Sequence, residues 1–129
     1  MRRILLTAAV ACGMCALGLT ARAADKEVKG VLIDNQCAKA QLEKPNPEEA
    51  AAKHPKACAM KEGCAKSGYS IISGKKQIKL DEASNEKAMA FLKGDGSDTK
   101  VVVMGTLSDD GKTITVTDIK ADKSKKKES

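Results

Sequence analysis

Five strand-like runs, one well-patterned helix between the third and fourth of them, and a strand-free stretch holding every cysteine of the body predict the fold class. That class is mainly β with short helices: an OB-like five-stranded β-barrel, with a helical, Cys-bearing excursion between strands 1 and 2 and one helix between strands 3 and 4. A two-layer α+β sandwich is the alternative that shares this element order. At 129 residues the chain has room for one domain. It holds no Trp, one Tyr and one Phe, so its core must be built from Val, Ile, Leu and Ala.

Residues 1–23 read as a cleaved signal peptide. Arg2 and Arg3 open it, Ile4 to Leu19 carry no charge, and Ala21-Arg22-Ala23 is a small-x-small cleavage site. The apolar stretch is shorter than the roughly 20 residues of a spanning helix. Neither Cys12 nor Cys15 follows the Leu that opens a lipobox, so soluble export to the periplasm or medium of a bacterium is expected. No other stretch suits a transmembrane segment.

The single domain is expected over 24–119, followed by a disordered Lys-rich tail at 120–129. Of the net charge of +6, the leader holds +3 and the tail +3, which leaves the body neutral. The chain after residue 23 contains no Arg and almost no aromatic stacking platform. Both facts argue against nucleic acid as a partner.

Within the body, Val28 to Ile33 is β-branched and reads as the first strand, with Gly30 marking a bend or close approach. The excursion spans 34–68. Pro47 to Lys53 predicts a short helix with Pro at its first position and acids in its first turn. Pro55 interrupts it, and a second short helix is expected over Pro55 to Glu62, with His54 near its cap and Gly63 ending it. Tyr69 to Ser73 and Gln77 to Asp81 form a hairpin around Gly74. Ser84 to Lys93 is a helix with Ala88, Phe91 and Leu92 on one stripe and Gly94 past its end. Lys100 to Leu107, kinked at Gly105, and Thr113 to Ile119 complete the strands. The glycines of the first and fourth strands suit a tightly coiled barrel. Gly94-Asp95-Gly96-Ser97-Asp98 lacks the further ligands of a calcium loop and reads as a turn.

Two of the five cysteines belong to the leader. The other three, Cys37, Cys58 and Cys64, share the excursion with His54, the only histidine. Cys₃His is a tetrahedral ligand set suited to a transition metal such as Zn or Cu. A helix starting at His54 would place His54 and Cys58 on one face, and Met60 is a candidate soft extra ligand. The spacing lacks the C-x₂₋₄-C knuckle of most zinc modules. In an oxidising compartment two of the three cysteines can instead form a structural disulfide, and the spare thiol then allows a dimer. In that case the cluster is a staple, and the barrel binds an unknown small ligand or protein partner. A thiol oxidoreductase is a third reading. It would use His54 as base with Asp34 near the same barrel end, but no C-x-x-C is present. No other catalytic motif stands out, so a non-enzymatic binding role is expected.

The run Asp34-Asn35-Gln36-Cys37, then His54-Pro55-Lys56-Ala57-Cys58-Ala59, then Cys64-Ala65-Lys66-Ser67-Gly68-Tyr69 resembles a group of small exported bacterial proteins with a D-x-x-C … H-x₃-C-A … C-x₃-G-Y arrangement ahead of an OB-like ending. The ending here is Val101-Val102-Val103-Met104-Gly105 and Ile114-Thr115-Val116. The resemblance implies the fold and export, gives weight to the four clustered residues acting together, and brings no reaction.

Overall fold

The computed structural model describes residues 25–123. The expected signal peptide and the tail beyond 123 lie outside the described residues. In chain order the elements are β1 (Lys26–Asp34), α1 (Asn35–Leu42), α2 (Pro47–Ala52), α3 (Lys56–Ala59), α4 (Glu62–Lys66), β2 (Tyr69–Ser73), β3 (Lys76–Leu80), α5 (Glu82–Lys93), β4 (Lys100–Leu107) and β5 (Thr113–Ala121).

The five strands form one mixed sheet that closes into a ring in the order β1-β2-β3-β5-β4. Neighbours are antiparallel except β3 and β5, which run parallel and meet at Lys79 opposite Thr113 and Leu80 opposite Ile114. Because the sheet closes on itself, the two-layer sandwich is ruled out. The expectation of a mainly β chain is also corrected, since helices cover almost as many residues as strands. The excess lies in the excursion, where four short helices replace the expected two. At the other end, β5 runs to Ala121, two residues past the expected domain end, and Asp122 N–H donates to Lys100 O at 2.9 Å. Among the described residues no helix is long and apolar enough to cross a membrane.

Most strands bury alternate residues, as a pleated strand with one inward face must. Val101, Val103 and Gly105 of β4 and Ile114 and Val116 of β5 turn inward. β1 departs from this rule: Gly30 to Asp34 are all buried. Leu32 points into the ring with Tyr69, Ile71, Leu80 and Val103. Val31 and Ile33 point outward and meet Ile72, Ala38 of α1 and Ala51 of α2. The excursion is therefore a second layer over β1 and β2, and burial of that outer cluster holds its short helices in place.

Between β3 and β4, α5 sends Ala88 and Leu92 into the ring core. Asp81 caps this helix by accepting from Ser84 N–H at 2.9 Å, and also accepts from the Thr115 hydroxyl at 2.6 Å. These bonds hold the Asp81 carboxyl below its usual range.

Two glycines let the ring close. A Cβ at Gly30 would collide with the carbonyl oxygen of Ile72, and one at Gly105 with that of Thr115. The β4–β5 register also shifts at Met104/Gly105, where the ladder bends. Gly63, by contrast, lies inside α4 with open space at its Cβ position. Gly105→Ala is expected to destabilise the fold by about 1–3 kcal/mol through overpacking. Gly63→Ala is expected to be neutral or to stabilise by about 0.5–1 kcal/mol. Urea denaturation of both variants checks the contrast; equal midpoints would refute it.

Candidate metal centre

The centre begins where β1 runs into α1 without a loop. Asp34 ends the strand and caps the helix, its Oδ2 accepting from Cys37 N–H at 2.7 Å. D-x-x-C is thus the spacing from an N-cap to the third helical residue, so the cap fixes Cys37 in the first turn. Asp34 is 0% exposed, and its other oxygen, Oδ1, has no hydrogen-bond partner.

Cys64 lies in α4, and its carbonyl accepts from the Ser67 hydroxyl at 2.6 Å. Ser67 and Gly68 then tie α4 to α1: Asn35 Nδ2 donates to Ser67 O at 2.7 Å and Asn35 N–H to Gly68 O at 2.9 Å. Gly68 has φ +80, and a Cβ there would press on the Asn35 and Asn85 side chains. Asn35 Oδ1 also accepts from the Ser70 hydroxyl. Cys58 sits in α3, a single turn bounded by extended backbone at Pro55 and Lys61. The buried Tyr69 hydroxyl donates to Ala59 O at 2.8 Å and pins this turn to β2. Asn35, Ser67 and Gly68 therefore position the Cys37 and Cys64 turns, and Tyr69 the Cys58 turn.

The result is two overlapping donor sets. The sulfurs of Cys37, Cys58 and Cys64 all lie within 4.8 Å of one another, half-buried, and all three are free thiols. Cys37 Sγ, a carboxylate oxygen of Asp34 and a ring nitrogen of His54 form a second group within the same limit. The structure thus gathers the three expected cysteines. It brings His54 to Cys37 but does not place it in one set with all three.

Several expectations about the site are corrected. His54 does not start the Cys58 helix: it follows α2, its N–H donating to Ala51 O at 3.0 Å, and α3 starts at Lys56 beyond the extended Pro55. The i, i+4 face is therefore not formed. Gly63 does not end that helix either, since the break falls at Met60 and Lys61. Met60 packs against the ring core. Asp34, read from sequence only as a residue near His54, is a full member of the cluster. A capping acid directly after a buried strand and three residues before a cysteine was the available signal.

The local environment keeps the Cys37 and Cys64 thiols protonated. Burial pushes the Cys37 thiol up to about 12, aided by the adjacent Asp34 carboxylate and then by the other two thiols. Cys64 is also pushed up, by desolvation first and then mainly by Asp34. By strict geometry no donor reaches Asp34 Oδ1, so these thiol–carboxylate contacts count as proximity rather than as bonds that satisfy it. A nucleophilic thiol needs a lowered pKa, so this environment argues against thiol catalysis. A bound cation would reverse it by stabilising thiolates.

Elsewhere among the described residues, a cleft of about 620 Å³ between α2 and the β1 face is lined by lysines and acids in mixture, including Lys29, Lys100, Glu48 and Glu49. It contains none of the cluster donors.

For the metal-free protein, native Cys37 is expected to alkylate at least about a hundredfold more slowly than an ordinary thiol at pH 8. Its rate should keep rising well above pH 9; levelling near pH 9 would contradict the shift. The same shift sets a stability trend. Its stabilising effect is complete below the unfolded value of 9.0 and is lost as pH rises towards about 12, because the unfolded chain releases the proton first. No family model, no curated protein and no solved structure matches the chain, so a functional reading rests on the chemistry of these donors.

Proposed function

We propose that the protein is a small exported bacterial metal-binding protein without enzymatic activity, built on an OB-like barrel. Its candidate transition-metal site comprises Cys37, Cys58 and Cys64, with His54 and Asp34 beside Cys37. The closed strand order supports the OB-like assignment, because this fold is a five-stranded Greek-key barrel. The leader-like residues 1–23 support export.

The observation that carries the metal reading is the convergence of three sulfurs within 4.8 Å of one another. A tetrahedral ion with Zn–S bonds of about 2.3 Å requires sulfurs roughly 3.8 Å apart, a small adjustment from such a cluster. Thiolates suit Zn²⁺ or Cu⁺. The bare, buried Asp34 oxygen is a further ground, since an unpaired buried carboxylate oxygen is costly without a cation or donor. The role would be that of a metal buffer, carrier or sensor. The same sulfur proximity favours one other reading, a disulfide that staples the excursion, with ligand binding left to the barrel.

The reduced mature protein is expected to take up Zn²⁺ or Co²⁺ with proton release. Cys58→Ser or Cys64→Ser should weaken that uptake by at least about a hundredfold. Native mass spectrometry and competition with a chelator measure both. A protein that leaves the oxidising compartment two mass units light, and binds no metal after reduction, is stapled and not a metal protein.

A further inference from the structure

We infer that the cluster is built for two metal ions that share the Cys37 thiolate; the inference rests on the metal reading above. The two donor sets meet only at Cys37. One holds the sulfurs of Cys37, Cys58 and Cys64. The other holds Cys37 Sγ, an Asp34 oxygen and a His54 nitrogen. A four-coordinate ion on the three sulfurs has one position left, and the two remaining donors do not both fit it. They do fit a second ion, because an oxygen, a nitrogen and a sulfur together form a normal ligand set for Zn²⁺. A thiolate has lone pairs enough to bind two ions at once.

Asp34 makes the single-ion arrangement costly. It is 0% exposed, its Oδ1 is unpartnered, and none of the ion pairs among the described residues involves it. An ion held on the thiolates of Cys37, Cys58 and Cys64 that takes His54 or water as its fourth ligand leaves Asp34 uncoordinated. An ion in the Asp34–Cys37–His54 set brings a cation to the buried carboxylate itself. Charge points the same way. Three thiolates and one carboxylate carry four negative charges, which two divalent ions balance and one leaves half uncompensated. Burying that surplus opposes binding. The position of Cys37 suits a bridging role, since it stands in the first turn of α1 with its backbone N–H held by the Asp34 cap. One side chain therefore links the cap to both donor sets.

The test is a Zn²⁺ and Co²⁺ titration of the reduced mature protein, read by native mass spectrometry and by the thiolate-to-cobalt absorption. Two ions per chain are expected, with His54→Gln and Asp34→Asn each reducing the count to one while the thiolate absorption persists. Cys58→Ser is expected to lose the three-sulfur ion and keep the other. Cys37→Ser should weaken both ions. Asp34→Asn retains a capping side chain, and the half-exposed His54 gives a second variant should Asp34→Asn unfold. One ion in the wild type, unchanged in His54→Gln, overturns the shared pair and leaves the single-ion reading standing. Two ions in both the wild type and His54→Gln place the second ion elsewhere and also overturn it. No ion at all overturns both readings.

Discussion

One carboxylate holds the strand-to-helix junction on which the cluster depends. Asp34 is the last residue of β1 and the cap of α1. Its Oδ2 satisfies one of the helix's free N–H groups, the ordinary work of a cap. A cap normally sits at the surface, where water serves its second oxygen. Here the junction lies under the excursion and Oδ1 is sealed in without a donor. The direction of α1 and the position of Cys37 trace to that placement, and Asp34 adds to the burial that raises the Cys37 and Cys64 thiols. Even Tyr69 is pushed up, chiefly by burial and next by the Asp34 charge.

The excursion stays over this junction because β1 is buried on both faces. Helices of four to eight residues are not stable alone. They persist because Ala38 and Ala51 close over Val31, Ile33 and Ile72, and because side-chain-to-backbone bonds fix each turn. Ser67 holds Cys64, Tyr69 holds the Cys58 turn, and Asn35 joins α4 to α1. The three thiols thus reach each other from three separate helices, positioned by hydrogen bonds and packing while the sulfurs themselves remain free.

Much of the ring was legible in the sequence because its signals are local. Alternation over Thr113 to Val116, the β-branched run at 101–103 and the turn glycines gave the strands, and β2 and β4 lie where the pattern placed them. The helices of the excursion were less legible. α1 buries only Ala38, so its apolar stripe is too thin to announce a helix, and the cap that starts it was recognisable only once Asp34 was known to end a strand. Gly63 reads as a stop signal, yet its turn is set by Lys61 in front of it. His54 was grouped with Cys58 by spacing, but Pro55 separates them, and His54 meets Cys37 through the fold instead. The three cysteines and His54 could be read from residue type, whereas the inclusion of Asp34 and the division into two sets depend on tertiary packing.

Among the described residues, the fold leaves one buried side-chain oxygen without a partner, and its consequence is electrostatic. A buried carboxylate oxygen lacks a donor, and two nearby thiols are driven to hold their protons. A nucleophile would need a cation or donor built into the site to favour its anion. Among the described residues the salt bridges are exposed surface pairs, and Cys37, the thiol beside His54, is pushed up all the same by burial and then by Asp34. A structural staple would need only two sulfurs and no carboxylate beside them. Under the proposed metal reading, one positive charge from outside the chain would meet the sulfurs, the carboxylate and the imidazole together. Binding of that charge would replace repulsion among the donors with bonds to them, so uptake and stability are coupled through the same residues.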